Sequence, residues 1–189
     1  MLRRSLNTFM NAFTSSDWTA YPFATQNRKD FGNLLNVYLD AVFFSRLDPL
    51  DFAQEGHRVE FENDDRDQPL TFKGVVFNEM KGAMSSTPSV LWDRLCYELF
   101  PSNTYHFNSG GDPEAIPDLT YQQLREFYAE HYHPSNAIFL TFGDIPAADH
   151  QRVFESAVLD RFDALDRKVE VALEAAFTEP RSATHTYAI

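Results

Sequence analysis

Apolar and polar positions along this chain recur with two different periods, and the switches between them predict its elements. Phe9 to Thr14 and Trp18 to Phe23 are β-type runs on either side of Ser15-Ser16-Asp17, a turn-forming cluster, and they read as a hairpin. Pro22 brings no N–H to a ladder and marks the second run as an edge or a strand end. Phe31, Leu34, Leu35, Tyr38 and Val42 then recur at helical spacing behind the polar starters Thr25 and Asn27. Pro49 opens a short helix that Gly56 stops, Val59 and Phe61 alternate as in a strand, and Asn63 to Gln68 form a charged turn.

The spacing of Val76, Met80 and Met84 predicts a helix over Thr71 to Ser86, followed by a restart at Thr87-Pro88, where proline is tolerated in a first turn. Leu91, Leu95 and Leu99 share a face up to Pro101. After a Gly/Pro/Asp loop, Thr120 and Gln123 fit a capping box inside a Leu119/Leu124 staple, and Pro134 stops the helix they open. Ala137 to Phe142 reads as a buried strand. Pro146 to Leu165 reads as a last helix, built on Val153, Phe154, Ala157, Val158 and Phe162. Helices and hairpins interleave, so the predicted class is α+β with a mixed or antiparallel sheet packed by helices. The pattern predicts one domain over 1–177, with 178–189 as a linker or the start of a further domain.

Composition narrows the function classes. With 43% apolar residues, 10 Pro and 7 Gly, the chain is built to fold. Its 28 acidic and 16 basic residues leave a net charge of −12, which argues against nucleic acid and anionic membranes as partners and suits basic peptides. The ordinary alternative for that charge is solubility. One cysteine, Cys96, excludes an internal disulfide framework and reads as a small core residue. No run reaches the ~18 apolar residues of a membrane span, and the start shows no apolar signal region. Those features place the chain, or the protein it comes from, in the cytosol.

No complete active site is legible from the residues alone. No two histidines stand four apart on a helix, and there is no G-x-S-x-G elbow or phosphate-binding glycine loop. His131 and His133 beside Glu130 are the nearest approach to a metal cluster, at a helix end where histidine also suits the dipole. Glu79 is unusual, because Val75, Gly82 and Ala83 share its face one turn away. A carboxylate in small and apolar surroundings needs a partner, and a cation is one of the few strong ones. The alternative is an ordinary exposed helix glutamate.

A set of ordered blocks adds a resemblance. Ser5-Leu6-Asn7-Thr8-Phe9-Met10-Asn11-Ala12-Phe13-Thr14, Tyr21-Pro22-Phe23-Ala24-Thr25-Gln26-Asn27, Lys73-Gly74-Val75-Val76-Phe77-Asn78-Glu79-Met80-Lys81-Gly82 and Tyr132-His133-Pro134-Ser135-Asn136 follow one another at suitable distances. Over most of positions 1 to about 145 the chain resembles the presequence-protease branch of the pitrilysin/insulinase family of zinc metallopeptidases. The resemblance implies part of that family's catalytic half, with Glu79 as third zinc ligand beside two histidines of an H-x-x-E-H motif that this chain lacks. It also implies that Asn11 and Ala12 lie on a strand edge to which an extended peptide substrate adds. The expected cofactor is Zn2+ in the complete protein. The expected partners are peptide substrates and the remainder of the same polypeptide, with an organellar matrix as location if the source is eukaryotic. Some relatives place a glutamate where Phe72 stands here, and the branch resembles this chain in having an aromatic there. No catalytic residue is expected within the chain, and alone it should be inactive. The rivals are a non-catalytic family member that kept the fold and a peptide-binding module that uses the edge without cleavage.

Overall fold

The structure is a computed structural model that describes residues 5–166 and 169–187. In chain order the elements are β1 (Phe9–Met10), β2 (Phe13–Thr14), β3 (Thr19–Ala20), β4 (Phe23–Ala24), α1 (Arg28–Phe43), α2 (Pro49–Asp51), β5 (Arg58–Phe61), β6 (Leu70–Lys73), α3 (Val75–Ala83), α4 (Thr87–Leu99), α5 (Tyr121–His131) and α6 (Ala147–Ala157). The strands form two-stranded sheets, β1 with β4, β2 with β3 and β5 with β6. The class is α+β, as the pattern predicts.

By internal contacts the chain divides into two interleaved units, the first made of residues 1–13, 19–46 and 122–170 and the second of 14–18, 47–121 and 171–189. The first unit is organised on α1. Asn27 sits in extended backbone and its side chain accepts from the Asp30 N–H at 3.0 Å, satisfying one of the unpaired donors of a helix start. The Asp30 carboxylate accepts in turn from the Ser5 hydroxyl and the Leu6 N–H, at 3.0 and 3.1 Å, and ties the N-terminal segment to the helix. Replacing Asn27 by Ala is expected to cost about 1 kcal/mol of stability. Urea unfolding of the 189-residue chain, followed by helix signal, checks it, and an unshifted midpoint would show that this cap is not stabilising.

The core of this unit gathers Leu35, Leu39 and Phe43 of α1 with Phe154 and Val158, and Phe23, Phe31, Phe139 and Phe162 pack around them. The five apolar positions predicted to build the last helix all join this cluster, but the helix is shorter than its pattern. It ends at Ala157, and Val158 leaves helical backbone while remaining fully buried. Ala137 to Phe142 departs further from the predicted buried strand. Ala137 and Phe139 face the core, whereas Ile138, Leu140 and Phe142 are almost wholly exposed and the segment pairs with no strand among the described residues. Its period-two alternation is real, but a ladder also needs a neighbouring strand, and no pattern within the segment specifies one.

In the second unit the predicted helix over Thr71 to Ser86 is two elements. Leu70–Lys73 is a strand paired antiparallel with Arg58–Phe61, in the register Arg58↔Lys73 and Phe61↔Leu70. Only Val75–Ala83 is α-helical, and its inward stripe is Phe77, Met80 and Met84 around Ile116 rather than one that includes Val76. Phe77, Met80 and Met84 recur at i, i+3 and i+7, and burial centres on that stripe, which leaves Val76 39% exposed. The next helix, α4, starts at Thr87-Pro88 as expected, yet its shared face of Leu91, Leu95 and Leu99 is exposed.

Candidate metal centre and substrate edge

Glu79 owes its position to the junction between β6 and α3. The β5–β6 ladder runs through Lys73, Gly74 follows in extended backbone, and the helix begins at once. A β-carbon at Gly74 would lie 2.1 Å from the carbonyl oxygen of Gly56, so only hydrogen fits where these two backbones meet. With the helix start held there, burial of Phe77 and Met80 turns the opposite face outward. Glu79 is on that outward face, exposed, with the half-exposed Val75 and Val76 one turn before it. Among the described residues no hydrogen bond or ion pair engages its carboxylate. An oxygen donor on a rigid helix, unpartnered and next to bare apolar surface, fits the role of a metal ligand completed from elsewhere.

No group of three histidine, cysteine, aspartate or glutamate side chains that could hold a metal ion occurs among the described residues. The histidines have local partners. His57 Nε2 lies 2.7 Å from the Leu119 carbonyl, and the His106 ring lies tilted against that of Tyr97 with 4.1 Å between centroids. His131 lies against Phe127, while His133 Nδ1 accepts from the Ser135 N–H at 3.1 Å, so the two are engaged separately. His150 is buried against Phe31 and Phe154, and His185 meets Glu98 at 3.0 Å. Burial, reinforced by Asp93, pushes the Cys96 thiol up, which holds it in the unreactive protonated form.

Asn11 and Ala12 fall between β1 and β2, where the hairpin ladder is interrupted. Phe9 pairs with Ala24 and Met10 with Phe23, and the Asn11 N–H still reaches the Pro22 carbonyl at 3.1 Å. The Ala12 N–H is held at 2.9 Å by the side-chain oxygen of Asn11. Among the described residues β1 pairs with β4 alone. Two tyrosines that the sequence did not single out flank the interruption. The hydroxyls of Tyr21 and Tyr132 are 2.6 Å apart, although 111 residues separate them along the chain, and no local pattern announces such a pair.

Residues 118–186 match a family model described as Peptidase M16 inactive domain. None of Asn11, Ala12 and Glu79 lies within the matched stretch. Over 182 residues the chain is 54% identical to the mitochondrial presequence protease of Xenopus tropicalis, an alignment covering 96% of this chain and 18% of that protein. The chain belongs to the pitrilysin family of peptidases. The mitochondrial presequence protease of Danio rerio is 53% identical over 182 residues, with the same coverage of 96% and 18%. That of Schizosaccharomyces pombe is 53% identical over 151 residues, which cover 79% of this chain and 15% of the relative. The chain therefore spans less than a fifth of the length of these curated relatives.

Proposed function

We propose that this chain is a stretch of a zinc endopeptidase that degrades unstructured peptides, to which it contributes one zinc ligand, Glu79, and a substrate edge at Asn11 and Ala12. The observation that carries the reading is the Glu79 carboxylate, without a partner among the described residues and turned outward from a helix whose start is fixed by the Gly74–Gly56 contact. Two histidines from outside the stretch complete the ligand set, and zinc with three protein ligands supplies an activated water for peptide hydrolysis. The edge beside β1 binds extended peptide through backbone hydrogen bonds, which makes selectivity depend on extension more than on sequence.

The net charge of −12 favours basic peptides, and nearly all of it falls in the unit that carries Glu79. The remainder of the same polypeptide is the other partner, because one carboxylate cannot hold a catalytic ion. An organellar matrix is the location this reading favours, on the strength of relatives that bear "mitochondrial" in their names. The 189-residue chain on its own is expected to hydrolyse no fluorogenic peptide, whereas the full-length protein should do so and lose activity with a zinc chelator. Chelator-sensitive hydrolysis by the 189-residue chain, or none by the full-length protein, would overturn the assignment. The second outcome would favour a non-catalytic family member.

A further inference from the structure

The hairpin that carries the substrate edge is thinly laddered where the edge lies. The strands stop at Met10 and resume at Phe13 on one side, and they leave Tyr21 and Pro22 outside the ladder on the other. Pro22 has no N–H, so the residues opposite Asn11 and Ala12 give a single backbone bond, from the Asn11 N–H to the Pro22 carbonyl. Side chains from α1 and from just past α5 hold this place instead. The Tyr21 hydroxyl pairs with that of Tyr132, just past α5, at 2.6 Å, and the Tyr38 hydroxyl of α1 makes a long contact of 3.5 Å to the Pro22 carbonyl. Tyr132 is itself held, because its ring stacks on Tyr128 with 4.9 Å between centroids. The Tyr128 hydroxyl donates to the Val42 carbonyl at 2.7 Å and accepts from the Ser45 N–H at 3.1 Å, at the end of α1. Burial and then the Tyr132 hydrogen bond raise the Tyr21 pKa well above the ordinary phenol range, so the Tyr21 hydroxyl keeps its proton at any working pH.

We propose that Tyr132 is a positioning residue for peptide binding: through the Tyr21 hydroxyl it fixes the interrupted part of the hairpin, so that the Asn11–Ala12 edge is presented in a geometry an extended peptide can add to. The inference rests on the edge reading above and assigns its alignment to a side chain far away in sequence. Strand addition needs donors and acceptors held in register, and an edge free to twist at its own gap must be ordered at the expense of affinity.

The test uses the full-length protein with Tyr132→Phe, which keeps the ring on Tyr128 and removes one hydroxyl, and Asn27→Ala as control. KM for an unstructured peptide should rise about three- to tenfold in Tyr132→Phe, the range a single lost hydrogen bond supports, while kcat holds. Asn27→Ala, which removes only the cap at the start of α1, should lower thermal stability and leave KM in place. Hydrogen exchange over 9–14 in the metal-free protein, with and without the same peptide, separates this inference from the one beneath it. Protection in the unsubstituted protein that weakens in Tyr132→Phe supports both. Equal protection and equal KM in the two proteins overturn the positioning role and leave the edge reading standing. Absence of protection in the unsubstituted protein overturns the edge reading and the positioning role with it. A fall of kcat and stability together in Tyr132→Phe makes the tyrosine pair a structural brace only.

Discussion

Replacing Glu79 by Gln in the full-length protein should remove bound zinc and peptidase activity together while the fold survives. The substitution keeps the side chain's size and replaces an anionic oxygen ligand with a neutral amide, a poorer donor for zinc. Glu79 is exposed and bonds to none of the described residues, so no bond to them is lost with the charge. The change therefore reads ligand strength with little contribution from stability. Losing an outer partner of a metal ligand costs roughly 10- to 100-fold in metal affinity or activity, and losing the ligand itself should cost at least as much. Zinc content and peptidase rate measured on the same preparations decide it. Equal occupancy and equal rate would make Glu79 an ordinary helix residue.

Gly74→Ala should act one step earlier, on the junction that aims α3. The backbone there is extended, a conformation alanine adopts freely, so the effect isolates the collision with the Gly56 carbonyl. Backbone cannot give way as a flexible side chain does, and the contact must open by shifting the start of the helix or the turn that ends at Gly56. Overpacking of this kind costs about 1–3 kcal/mol and at times more. The urea midpoint of the 189-residue chain should fall accordingly, and in the full-length protein zinc affinity should drop even where the fold is retained. An unchanged midpoint with unchanged zinc affinity would show that the junction has slack and does not set the ligand's place.

Sequence pattern made some parts of this molecule legible and left others dark for physical reasons. Helix α1 could be read because a 3.6-residue stripe and a capping asparagine point to the same start. The same agreement holds for Thr87-Pro88 at the head of α4. The Thr71–Lys73 strand was missed because its residues suit either structure, and what decides is the cross-strand register with Arg58–Phe61. In Ala137–Phe142 the apolar run is visible, but which of its residues are covered depends on neighbours that the segment cannot encode. The site divides along the same line. Glu79 could be flagged by its small and apolar helical neighbours, yet only the family resemblance proposes a ligand's role for it. The Tyr21–Tyr132 pair and the Gly74–Gly56 contact join positions far apart in sequence, and they became visible only in three dimensions.

Diffraction at the zinc absorption edge, from crystals of the full-length protein, tests the central claim most directly. The predicted result is a zinc position about 2.0–2.2 Å from a carboxylate oxygen of Glu79, the distance of a direct bond. A zinc ion held by other ligands, with Glu79 directed into solvent, would contradict it.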